Sequence, residues 1–127
     1  MFKRIDHVEI IPNDIEKSIK FYTEVLGFKV KMRHEVDTHP LEEVVYLKLG
    51  NSLLELLKVN DPISSSSEQW KVGYRMMAIE VDDMDKAVEY LANKGIKITW
   101  GPVDLGNSKR AEIKDPDGLC IELRQWE

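Results

Sequence analysis

The chain contains a single cysteine, Cys120, in 127 residues. No intrachain disulfide can form, and a reducing compartment fits. No apolar run approaches the ~20 residues that a membrane-spanning helix needs. The opening MFKRIDHVEIIPND has no apolar stretch of signal-peptide length. There is no Lys/Arg run either: 18 basic residues face 23 acidic ones, for a formal charge of −5. Phosphate binding needs a clustered basic surface, so nucleic acid is not an expected partner. The expectation is a soluble cytoplasmic protein with neither a membrane nor a nucleic-acid partner. What the chain does have is 43 % apolar residues, enough to build a core at the size of one domain, taken as 1–127.

A weak internal repeat organises that domain. Asp14 and Lys17 recur 69 residues later as Asp83 and Lys86. Gly27 and Lys29 recur after 68 as Gly95 and Lys97, and Glu55-Leu56 after 67 as Glu122-Leu123. The hydrophobic pattern agrees between the copies, which run from 4 to 59 and from 74 to 126. In the first, Ile5 to Ile11 alternates like a strand. Asp14 is placed to cap a helix over 14–26, with Ile15, Ile19, Tyr22 and Leu26 as its apolar stripe and Gly27 as its stop. Strands follow near 28–35, 43–49 and 52–58. In the second, the strand is 75–81, and Asp83 caps a helix striped by Met84, Ala87, Val88 and Leu91 that Gly95 ends. Strands near 96–100, 108–114 and 119–125 complete it, the last preceded by a tight turn at DPDG, 115–118. Each copy reads β-α-β-β-β. The polar, serine-rich segment 60–73 is the linker, and its serine run 64–67 reads as linker rather than lid.

Strand alternation divides the side chains between two faces. Val8, Ile10, Leu54, Leu56, Met77, Ile79, Val81, Leu119, Ile121 and Leu123 form uniformly apolar faces, which should pack on the helices. The opposite faces mix apolar residues with His7, Glu9, Glu55, Glu80, Glu122 and Arg124. Such a face is either simply solvated, as in many antiparallel sheets, or a cleft lined by one histidine and several carboxylates. The second reading draws on position, because Glu55 and Glu122 occupy the same place in both copies, each inside an otherwise apolar strand. His34 and His39 lie in a polar stretch and belong at the surface. Cys120 has no histidine near it in sequence to activate a thiolate. Trp70, Trp100 and Trp126 either pack or line an apolar pocket. Arg110 and Arg124 either form surface ion pairs or hold a substrate carboxylate.

The segments DHVEIIPNDIEKSIKFYTEVLGFKV at 6–30, LLELL at 53–57 and KDPDGLCIEL at 114–123 resemble the vicinal oxygen chelate superfamily. Its members include glyoxalase I, bleomycin- and fosfomycin-resistance proteins, methylmalonyl-CoA epimerase and ring-cleaving dioxygenases. The DPDG-x-x-IEL ending is most similar to glyoxalase I-like proteins. The resemblance implies an α+β fold of two tandem βαβββ modules forming a curved eight-stranded sheet, with the helices on its outer face. It also implies a metal site with one ligand from each of four strands. His7, Glu55 and Glu122 match three ligand positions. The fourth, usually histidine, falls on Met76, 69 residues after His7. A thioether is a poor ligand for Zn²⁺, Ni²⁺ or Mn²⁺ in an oxygen and nitrogen site, although three protein ligands plus water suffice for a catalytic centre.

Two functions are therefore open. One is a metal-dependent lyase or isomerase of the glyoxalase I type, acting on a small substrate that chelates the metal through two adjacent oxygens, such as a 2-oxoaldehyde–thiol adduct. There Glu122 or Glu55 would shuttle the proton. The other is a metal-free small-molecule binding protein of the bleomycin-resistance type, which Met76 favours. A ring-cleaving dioxygenase fits less well, since its Fe(II) triad requires a second histidine. The resemblance also implies a homodimer, C₂ being the commonest closed arrangement.

Overall fold

The computed structural model describes every residue except 67, which ends the serine run and lies outside the described residues. The chain divides into two compact units, Met1–Ser66 and Ser67–Glu127, and each carries the expected βαβββ order. In the first, β1 (Val8–Ile10) leads to α1 (Ile15–Lys20), then β2 (Lys29–Thr38), β3 (Leu41–Leu49) and β4 (Ser52–Val59). In the second, β5 (Met77–Glu80) leads to α2 (Met84–Asn93), β6 (Trp100–Asp104), β7 (Ser108–Lys114) and β8 (Cys120–Trp126). The sheet orders are β1-β4-β3-β2 and β5-β8-β7-β6. In both, the first strand lies parallel to the last and the other pairings are antiparallel.

Local chemistry accounts for the helices. The Asp14 carboxylate accepts the Lys17 N–H at 3.2 Å, and Asp83 accepts that of Lys86 at 3.1 Å, each satisfying an otherwise orphaned first-turn donor. Beyond Lys20 the chain widens into a π-helical turn, Phe21–Val25, where the Leu26 N–H reaches Phe21 O. Thr23 Oγ1 donates back to Ile19 O at 2.7 Å; such back-bonding loosens helical geometry. At the end of α2 the Ile96 N–H bonds Leu91 O at 2.9 Å, a six-residue closure that requires the left-handed conformation of Gly95, φ +75°.

The apolar faces form the cores. Val45 and Leu47 pair with Leu56 and Leu54, all four buried with Ile15, Ile19 and Tyr22, and α1 lies against β4. Ala111 and Ile113 pair with Leu123 and Ile121, buried with Met84 and Leu91, and α2 lies against β8.

Three expectations need correction. The opening strands are short, three and four residues rather than seven, and Val8 remains 44 % exposed instead of packing on a helix, since α1 lies against β4. The strand expected near 96–100 begins at Trp100, since the closure at Gly95 delays the chain's arrival at β7. Finally, the tryptophans do not pack into a core. Trp70, Trp100 and Trp126 are 83 %, 41 % and 54 % exposed, and each lies under a guanidinium, of Arg75, Arg110 and Arg124 respectively. His34 and His39 are exposed as expected. No helix among the described residues is long and apolar enough to cross a membrane.

Candidate functional site

In the first unit the polar sheet face gathers around His7, which immediately precedes β1. The parallel register sets Glu9 opposite Glu55, and the antiparallel register sets Tyr46 opposite Glu55. His7 Nε2 lies 2.9 Å from Glu55 Oε2 and 3.5 Å from Glu9 Oε2. Its other nitrogen, Nδ1, is 2.9 Å from Asp6 Oδ2. The Tyr46 ring meets the imidazole edge-on at 5.8 Å. Glu55 is buried despite its charge, while His7 keeps 27 % of its side chain exposed.

The electrostatics follow from these contacts. The Asp6 hydrogen bond holds the His7 pKa above the ordinary imidazole value against the opposing effect of burial, with Glu55 and Glu9 adding to the rise. Asp6 is lowered, mainly by the same bond. The Tyr46 phenol is raised, first by burial and then by the Glu55 charge. Ligand atoms of His7, Glu9 and Glu55 all lie within 4.8 Å of one another. One imidazole nitrogen and two carboxylates suit a divalent cation that accepts nitrogen and oxygen donors. A carboxylate on the far nitrogen of a ligating histidine fixes the tautomer that leaves Nε2 free, which is the role Asp6 can fill.

The second unit carries Met76 and Glu122, and there the polar face is built differently. Register places Glu112 opposite Glu122 and Arg110 opposite Arg124, so like charges face each other, an unfavourable arrangement by itself. Diagonal and same-strand pairing resolves it. Arg110 Nε donates to Glu122 Oε1 at 2.5 Å and its Nη2 to Glu112 Oε2 at 2.7 Å. Arg124 Nε donates to Glu122 Oε2 at 3.1 Å and its Nη1 to Ser108 Oγ at 3.0 Å. Burial pushes the Glu122 carboxyl up, but the hydrogen bonds from Arg110 and Arg124 outweigh it and leave the pKa below the usual range. The Met76 sulfur faces guanidinium donors of Arg75 at 3.5 Å and Arg110 at 4.0 Å.

Of the ligand positions read from the sequence, His7 and Glu55 are in contact. Glu122 is engaged by two arginines, which strand alternation alone left open. Asp6, Tyr46 and the convergence of Glu9 on His7 had no role in the sequence reading. Glu9 was legible as sharing a strand face with His7, two residues away; its closeness to Glu55 depends on the pairing of β1 with β4. Cys120 is half-buried with a free thiol. A solvent-open groove of about 770 Å³ runs along Arg33, Glu35, Glu43 and Lys58, but none of His7, Glu55 and Glu122 lines it.

Paired βαβββ units with a histidine–carboxylate cluster beside the first strand define a class of proteins, and the comparisons with known sequences agree. The profile of the Glyoxalase/Bleomycin resistance protein/Dioxygenase superfamily matches residues 4–123, and the chain belongs to that superfamily. It is 36 % identical over 128 residues to the uncharacterized protein YwkD of Bacillus subtilis (strain 168), covering 97 % of each. It is 33 % identical over 130 residues to mitochondrial methylmalonyl-CoA epimerase of Homo sapiens, covering 96 % of this chain and 73 % of the epimerase. Among solved structures, the trypanothione-dependent glyoxalase I of Leishmania major matches with a TM-score of 0.78 at 30 % identity, over 98 % of this chain and 87 % of that one.

Proposed function

We propose that the protein is a metal-dependent lyase or isomerase of the glyoxalase I type, acting on a small substrate with two adjacent oxygens of the 2-oxoaldehyde–thiol adduct class. The observation that carries this reading is the contact of His7 Nε2 with Glu55 at 2.9 Å while Asp6 holds the other ring nitrogen. Similarity to a glyoxalase I and to an epimerase supports it. In this reading His7 and Glu55 hold Zn²⁺, Ni²⁺ or Mn²⁺, with Glu122 as the further ligand position implied by the family resemblance. A divalent cation supplies Lewis acidity to the substrate oxygens when bound. Asp6 keeps Nε2 as the donor nitrogen. Glu55 and Glu122 are the carboxylates assigned to proton transfer. Glu122 is a poor base while both guanidiniums hold it, so it accepts a proton only after releasing Arg110 or Arg124.

A second reading rests on Met76, whose thioether stands where a nitrogen ligand is expected and offers an adaptable apolar wall for an organic ligand. Metal-free sequestration of a small molecule would then be the function. Metal analysis of protein purified without chelator, followed by calorimetric titration with Zn²⁺, Ni²⁺ and Mn²⁺, separates the two. The enzyme reading expects binding by the wild type and, on Met76→His, affinity tighter by about 10-fold or more. Absence of binding in both proteins, with Glu122→Gln leaving every ligand affinity unchanged, overturns it in favour of sequestration. A homodimer and a cytoplasmic setting belong to the same proposal. Sedimentation as a single species at the 14.7 kDa mass of one chain would refute the dimer, and cell fractionation checks the location.

A further inference from the structure

We infer that Glu9 is a metal ligand of this protein, so that the first unit alone presents a three-donor cation site of His7 Nε2, Glu9 and Glu55. The inference rests on the metal-dependent reading and adds a ligand that the resemblance does not supply. The geometry comes from strand register. His7 and Glu9 are two residues apart and share a side of the chain. Glu9 and Glu55 are direct partners on adjacent parallel strands. Both carboxylates therefore close on the same nitrogen, Nε2, at 3.5 and 2.9 Å, while Asp6 takes Nδ1.

Charge points the same way. Among the described residues no lysine or arginine forms an ion pair with Glu9 or Glu55, whereas Glu122 has two such partners. The basic group that the two carboxylates share is the His7 imidazole, which gives up its Nε2 proton when it ligates, so a divalent cation between the three replaces that positive charge. Glu122 is already neutralised and gains less from one. The exposure gradient suits a reactive centre rather than a closed structural one. The Glu55 side chain is 9 % exposed, that of His7 27 % and that of Glu9 54 %, so one flank stays open to water or substrate. Glu9 thus offsets, from within the first repeat, the donor missing at Met76. An oxygen in place of a nitrogen shifts the preference toward harder cations, Mn²⁺ or Mg²⁺ over Zn²⁺.

The test uses the full chain, stripped with chelator and titrated calorimetrically with Mn²⁺ and Zn²⁺, with Co²⁺ absorption reporting the ligand field. Glu9→Gln, Glu9→His and the control Glu80→Gln are compared with the wild type, and circular dichroism verifies folding. Glu9→Gln should weaken binding by about 10-fold or more, since loss of even an outer-shell partner commonly has that effect. Glu9→His should retain binding, move the preference toward Zn²⁺ and shift the Co²⁺ bands, which mere removal of a charge would not do. Wild-type binding that Glu9→Gln leaves intact, or reduces no more than Glu80→Gln does, overturns the inference while leaving the metal-dependent reading standing. Failure of the wild type to bind any of the three metals overturns both.

Discussion

Replacing Glu122 by Gln tests whether the paired arginines stabilise this carboxylate or merely neighbour it. Glu122 Oε1 accepts from Arg110 at 2.5 Å and Oε2 from Arg124 at 3.1 Å. Hydrogen bonds to charged groups contribute about 1.5–3 kcal/mol each. Gln retains one acceptor oxygen but turns donors toward the other guanidinium. The loss should fall short of the roughly 3–5 kcal/mol typical of breaking a fully buried pair. Both arginine side chains keep about a fifth of their exposure, and each retains a second partner, Glu112 or Ser108. An expected cost of about 2–3 kcal/mol corresponds to a Tm lower by roughly 8–12 °C for a chain of this size. The pH dependence carries a sign. The folded pKa of Glu122 is lowered, so the unfolded chain binds more protons in the window between the two values, and stability rises with pH there. The contribution is complete above the unfolded glutamate value of about 4.3 and is lost as pH falls through the lower folded value. Urea unfolding of both proteins at several pH values should therefore show the full difference at neutrality and a shrinking one in acid. A Glu122→Gln protein as stable as the wild type at neutral pH, or more stable, would refute the reasoning. Greater stability would mean that the fold holds this carboxylate against its preference, as reactive groups often are.

Two further outcomes are expected. Gly101 has φ +76°, and a Cβ there would sit 2.7 Å from the Arg110 carbonyl oxygen, inside the irregularity between Trp100 and Val103; Gly101→Ala should cost about 1–3 kcal/mol, and an unchanged thermal midpoint would show that the bulge relaxes freely. Asp6→Ala removes the acceptor on His7 Nδ1 and should weaken divalent-metal affinity by roughly 10- to 100-fold; an unaltered calorimetric titration would mean that Asp6 does not set the tautomer.

What the sequence by itself determined is the part governed by neighbours along the chain. Asp14 and Asp83 cap because a short acceptor side chain reaches an N–H three residues on, and Gly95 ends its helix because a residue without a Cβ enters the left-handed region freely. The alternation Leu54-Glu55-Leu56 already separates the core side of β4 from its polar side, and the burial of Leu54 and Leu56 follows it. Only the tertiary structure decided which strands pair, and the site depends on that. Pairing β1 with β4 in parallel set Glu9 opposite Glu55 and brought both to His7. Pairing β7 with β8 set Glu112 opposite Glu122 and added the Arg110 guanidinium to that of Arg124, two residues along the same strand, around a carboxylate that looked, in sequence, like the twin of Glu55. Alternation tells which side of a strand a residue occupies, but the identity and register of the neighbouring strand determine what it meets there, and those are settled by burial summed over whole sheets rather than by any short segment.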